Sequence, residues 1–259
     1  MNLEIMYTLI QLLQRDWYIF KQVYLHRLKM SLYWTLLTVL TTKMFLPSMG
    51  LDNFAPFILI SSTVSYGLFF AMQNSITFVE DILENQALFY ELTLPIPQWA
   101  IFLKFAITSM IQSFVLSISI FCIGYIFLMD TNIFPELSYF KLLFSFFCSA
   151  IFFGNFALIL SCTLKNMYQI ENVWLRIIFP LWYLGCWQFP WHVLYTINPV
   201  LAYLDLLNPL TLIHEAGRYA TIDPIHSLAF YPSCLGILIY AIICGIVGIY
   251  CLKKRLDCL

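Results

Sequence analysis

Four stretches of this chain, 53–79, 105–129, 142–164 and 227–252, each run for more than twenty residues without Asp, Glu, Lys or Arg. Nothing else in the sequence constrains the fold as strongly. A helix needs about 20 apolar residues to cross the hydrocarbon core of a bilayer. Irregular backbone does not survive there unless protein or a water-filled cavity covers it. The predicted class is therefore all-α, a polytopic membrane protein. Composition agrees: 61% of residues are hydrophobic, 10% are charged, and the mean hydropathy is +0.83. A soluble domain is nearer half apolar and a quarter charged.

Two weaker segments complete a prediction of six transmembrane helices. Residues 177–204 are uncharged but carry Pro180, Pro190 and Pro199. One span is expected to end near Phe189, followed by a segment that does not cross. Met30 to Leu46 is short, with Lys29 and Lys43 placed to snorkel at its ends. Before it, Leu9, Leu13, Trp17, Phe20 and Tyr24 recur at helical spacing on one face, opposite Gln11, Gln14, Arg15, Lys21 and Gln22. Residues 1–28 are thus expected to form an amphipathic helix in the membrane interface. Packing of that helix on a partner protein is the alternative. Glu4 is the first charge and no small-x-small cleavage pattern follows, so a secretory signal is not expected.

Six spans put both termini on one side. With that side cytoplasmic, Arg15, Lys21, Arg27, Lys29, Lys104, Lys165, Arg176, Lys253, Lys254 and Arg255 lie inside, and Lys43, Lys141 and Arg218 outside. This division uses all thirteen basic residues and fits the positive-inside rule. The whole of 1–259 reads as a single transmembrane domain in the cell's inner (plasma) membrane.

Two polar segments interrupt the apolar pattern. The loop at 80–98 holds Glu80, Asp81, Glu84 and Glu91, four of the fourteen acids, and is closed by Pro95 and Pro97. It is predicted to be cytoplasmic. The external segment at 190–226 contains Asn198-Pro199 and Asn208-Pro209. Asn at an N-cap with Pro at the first helical position is a helix-start signal. The second step should open a helix from Pro209 to about Tyr219, with Glu215 and Arg218 on one face and His214 beside them. A re-entrant helical hairpin is expected here. Its Glu215 and Arg218 either pair with each other to hold the hairpin or meet substrate. Ala150 with Gly154 and Ala241 with Gly245 permit close helix approach.

Other readings are narrowed by what the sequence contains. The net charge of -1 implies no nucleic acid partner. The eight cysteines form no C-x-x-C pair, and His192, His214 and His226 share no i, i+4 spacing, so no metal site is expected. No phosphate-cradling G-x-x-x-x-G-K-[ST] occurs, so the chain is not expected to be its own motor. An intramembrane lipid-modifying enzyme is the alternative function. It would need clustered acids, bases or nucleophiles at one depth, and the spans hold almost none. A secondary transporter would show inverted repeats or charged broken helices near the midplane.

The chain resembles a permease of the ABC type-2 transporter family over nearly its whole length. The resemblance rests on the span layout and three motifs. Glu91-Leu92-Thr93-Leu94-Pro95-Ile96-Pro97 is similar to the stretch entering the third span. Asn208-Pro209-Leu210-Thr211 precedes a helix bearing Arg218, and Leu184-Gly185 is followed by Phe189-Pro190. Leu184 stands where the family has a small polar residue, and Asn85-Gln86-Ala87 replaces a glycine many members carry. The resemblance implies a homodimer of permeases with two ATPase subunits docked on the cytoplasmic face. ATP and magnesium would be bound by those subunits and no cofactor by this chain. It implies export of an amphipathic substrate: a drug, a lipid or a lipid-linked glycan. The loop at 80–98 would couple permease to ATPase, with Glu80, Asp81, Glu84 and Glu91 as charged contacts and Leu88 and Phe89 as apolar ones.

Overall fold

In a computed structural model the chain is described over residues 3–45, 54–85, 87–128, 134, 137–164 and 166–256. No strand occurs among the described residues. The helices are α1 (Leu3–Phe45), α2 (Phe54–Glu80), α3 (Ala87–Leu92), α4 (Gln98–Phe127), α5 (Tyr139–Thr163), α6 (Ile170–Val173), α7 (Phe179–Leu184), α8 (Trp191–Ile197), α9 (Pro199–Asp205), α10 (Pro209–Tyr219) and α11 (Phe230–Leu256).

Four helical stretches among the described residues are long and apolar enough to cross a membrane: Phe54–Leu83, Gln98–Phe127, Tyr139–Thr163 and Phe230–Arg255. They correspond to the four uncharged stretches. Pro56 and Pro232 fall in the first turns of α2 and α11, where a missing N–H breaks no helical bond. The α4 helix begins earlier than the uncharged stretch because Lys104 is neutralised within the fold and need not end it.

α5 is the central element, packed against α2, α4, α10 and α11. Small residues set these approaches. A Cβ at Gly154 would press on the Ala106 carbonyl of α4, and one at Gly248 would press on Leu158 of α5. Gly245 faces Asn155 of α5 in the same way. The main core fills this space with Phe146, Phe152, Phe153, Leu68 and Ile237.

The sequence separates an interfacial helix at 1–28 from a first span at 30–46. The structure instead has one continuous helix of 43 residues. Neither Gly nor Pro occurs between Leu3 and Phe45, so nothing in the chain turns it. α1 runs parallel to α4: Lys104 meets Asp16 at 3.1 Å, Tyr24 meets Ser119 at 2.7 Å, and Val39 packs with Leu128. It runs antiparallel to α2, with Arg27 bonded to Asn74 and Val39 packed on Ala55 and Leu59. Arg27 to Phe45 is about 27 Å of helix, close to the thickness of a hydrocarbon core. Part of the amphipathic face therefore packs on the chain's own helices, with Phe20 beside Phe70 and Leu116.

The expected fifth span also differs. Helix over 170–184 is interrupted by a π-helical turn at Trp174–Ile178 and ends at Gly185, not near Phe189. Pro180 lacks an N–H and its ring crowds the carbonyl four residues back, which the widened turn accommodates. The helix is about 22 Å long, below the length of a full crossing. Three short helices, α8 to α10, then occupy 191–219.

Candidate functional site

Two ion centres stand out, one on each polar segment. The first is built on α10. Asn208 caps this helix as predicted: its side chain accepts from Leu210 N at 3.0 Å and its amide donates to Leu181 O at 2.8 Å. The predicted limits, Pro209 to Tyr219, are those observed. Thr211, His214, Glu215 and Arg218 follow at helical spacing and are all buried.

Arg218 is only 2% exposed. Its Nη1 donates to Glu215 Oε1 at 2.9 Å and to Phe189 O at 3.2 Å. Its Nη2 donates to Ser61 Oγ at 2.8 Å, to Trp187 O at 3.1 Å and to Cys186 O. The guanidinium carbon lies 3.8 Å from the Phe57 ring centroid, a cation–π contact. The Arg218 Nε has no hydrogen-bond partner among the described residues, while Glu215 accepts in addition from Trp191 N at 3.0 Å and from Leu228 N at 3.2 Å. His214 Nδ1 bonds to Gly185 O. Burial, with the Arg218 charge second, holds the His214 imidazole down to about 3, so it is neutral.

The residues after α7 thus lend their carbonyls to α10. Cys186 takes a left-handed conformation, φ 57°, uncommon for a residue with a Cβ. That turn aims its carbonyl at Arg218 while its thiol donates to Asp205 Oδ2 at 3.0 Å. Thr211 Oγ1 donates to the same oxygen at 2.9 Å. Every contact ties protein to protein, so this centre fixes the path of the chain from α7 to α11.

The second centre joins α1, α3 and α4. Glu91 is 4% exposed and Lys104 7%. Lys104 Nζ donates to both Glu91 oxygens at 2.8 Å and meets Asp16 Oδ2 at 3.1 Å. Arg15 Nη2 reaches Asp16 Oδ1 at 2.8 Å and also Glu91 Oε1. The quartet carries two positive and two negative side chains. Beside it lies a cleft of about 460 Å³ bounded by α1, α2, α3 and α4.

The residues expected to couple to an ATPase divide between inside and outside. Glu91 was expected to face a partner, but its carboxylate is buried and fully used within the chain. Leu88 is also buried, against Leu12, Phe78, Ile82 and Ile101. Phe89 is 38% exposed, next to the more exposed Tyr90. Glu80 ends α2 and Asp81, half-buried, lines the cleft. The Glu84 side chain lies outside the described residues. α3 ends at Leu92 and α4 starts at Gln98, so Pro95 and Pro97 do separate the two helices.

The sequence reading missed Arg15, Asp16 and Lys104 as a group. A lone lysine near the start of an apolar run was the available signal, since a charge there needs a named partner. Among the described residues no group of three or more His, Cys, Asp or Glu side chains could hold a metal. No family model, curated protein or solved structure matches this chain.

Proposed function

We propose that the chain is the membrane-spanning permease subunit of an ATP-driven exporter of the ABC type-2 kind, moving an amphipathic substrate across the cytoplasmic membrane. In this reading two copies pair, and two ATPase subunits dock on their cytoplasmic faces. The six crossings are the four long helices, the second half of α1, and a sixth made by the short helix over 170–184 together with the turn that follows it to Pro190, whose backbone is covered by α10. Helices α8 to α10 form a re-entrant cap on the outer side. Both termini are cytoplasmic.

The observation that carries the reading is the mounting of the loop between α2 and α4. Glu91 bolts α3 to α4 through a buried ion pair with Lys104 and to α1 through a half-exposed one with Arg15. Phe89 and Tyr90 project from the same short helix with apolar surface exposed. An element that receives force from a partner needs both properties: an outward apolar anchor and a stiff attachment to the bundle. The charged contacts expected of Glu91 pass instead to the loop's less buried acids, Glu80 and Asp81. The long continuous α1 supports a cytoplasmic N-terminus, because its start packs at the same end of the bundle as this loop.

The test is co-purification. The Phe89→Ala, Tyr90→Ala double variant is expected to insert at wild-type levels and to lose an ATPase bearing a phosphate-binding loop. The purified chain alone is expected to hydrolyse no ATP. Retention of the ATPase at wild-type levels by the double variant would remove the coupling role from this loop.

A further inference from the structure

The cleft beside Glu91 and Lys104 has a second end that the ion quartet does not use. There Arg27 reaches in from α1 and donates from Nη1 to Asn74 Oδ1 at 3.1 Å. Its guanidinium carbon lies 4.7 Å from the Phe70 ring centroid. Among the described residues no carboxylate is within ion-pair distance of it. At the other end Arg15 and Lys104 are matched by Asp16 and Glu91. Arg27 is therefore the cation of this cleft that has no direct ion pair among the described residues, although Asp81 also lines the cleft and the cleft's three cations face three carboxylates in all.

The surrounding amides orient it. Arginine can only donate, so Asn74 turns its carbonyl oxygen to Arg27 and its N–H₂ away. That N–H₂ donates to Ser109 Oγ at 3.0 Å and to Gln112 Oε1 at 3.1 Å. Gln112 is left with its own N–H₂ as a further donor at the cleft. Arg27 also stands at the foot of the uncharged stretch 30–42, whereas the neighbouring Lys29 does not line the cleft. Basic side chains at such a level meet the phosphates of the cytoplasmic leaflet. A planar guanidinium backed by an aromatic ring and flanked by an amide donor suits a phosphate oxygen.

We propose that this cleft binds the phosphate of a membrane lipid headgroup, with Arg27 as the principal ligand and Gln112 as the second. The site requires only that the chain sits in a membrane, not that it couples to an ATPase.

Binding to the purified full chain in detergent tests this by calorimetry. The probes are dihexanoyl phosphatidic acid, dihexanoylglycerol, which lacks the phosphate, and inorganic phosphate. The phosphatidic acid is expected to bind and dihexanoylglycerol to bind at least about tenfold more weakly, the worth of one charge-assisted hydrogen bond. Arg27→Gln is expected to lose about the same factor, Arg27→Lys to lose less, and Lys29→Gln to match wild type. The choice of wild-type protein between the two lipids decides the matter even if Arg27→Gln misfolds. Equal binding of the two lipids, or equal weakening by Arg27→Gln and Lys29→Gln, would overturn the proposal. Inorganic phosphate displacing the lipid at matched concentration would overturn it too, in favour of a free-anion site.

Discussion

The two ion centres solve the same problem in opposite ways. Around Arg218 the partners are mostly backbone: three carbonyls from residues 186–189, and two N–H groups for Glu215. Around Lys104 they are side chains alone, contributed by α1, α3 and α4. A charge wrapped in backbone fixes one chain path, because any rearrangement strands several groups at once. A charge answered by side chains fixes how helices stand to one another and can re-pair. The Arg218 centre is thus a permanent fastening. The Lys104 centre, open to a cleft and partly to solvent through Arg15, is the one able to adjust.

The largest expected effect that separates them is Arg218→Ala. Removing one partner of a fully buried pair costs about 3–5 kcal/mol, so the variant is expected to accumulate poorly and to melt far below wild type in detergent. Arg218→Lys should recover little, since an ammonium cannot match the guanidinium's fork of donors. At the Lys104 centre Glu91→Gln leaves Lys104 with Asp16 as its one carboxylate partner and is expected to cost about 1–3 kcal/mol. Glu91→Leu combined with Lys104→Met should be more stable than either single change, because no buried charge is left over. The same double replacement of Glu215 and Arg218 should fail to rescue, because the carbonyls would then lose their donor. Rescue of both centres alike would erase the distinction between them.

Acid provides a finer separation. His214 is held neutral in the fold, to about 3, whereas an unfolded histidine takes a proton near 6.5. The unfolded state therefore binds more protons below that value, and stability falls as the pH drops from about 6.5 towards 3. His214→Asn should flatten this acid limb in melts recorded between about pH 6.5 and 4. The smallest expected effect is Arg15→Ala. With its side chain 45% exposed, the pair contributes up to about 1 kcal/mol, and added salt should shrink the difference further.

Features set by local chemistry were legible before folding. The Asn-Pro steps gave α9 and α10 their starts through side-chain caps on Val200 N, Leu201 N and Leu210 N. Four membrane-length helices followed from the uncharged stretches, and Pro95 and Pro97 closed α3. Features decided by tertiary contact were not legible. Glu91 reads as a surface acid because its loop is polar, yet Lys104, thirteen residues on, and Arg15 from another helix bury it. The continuity of α1 was written in its lack of Gly and Pro, but polarity before Lys29 outweighed that signal. The left-handed turn at Cys186 had no local cue: a glycine stands beside it at Gly185, and the need to present a carbonyl to Arg218 falls on the cysteine.

The central claim is that these two centres stand on opposite faces of a membrane, the adjustable one inside and the fastening outside. Single cysteines replacing Phe89 and Ile225, both exposed, test it in a background without native cysteines. With a membrane-impermeant maleimide, Ile225→Cys is expected to label in intact cells and Phe89→Cys only after lysis. Labelling of both from outside, or of Phe89→Cys alone, would contradict the account.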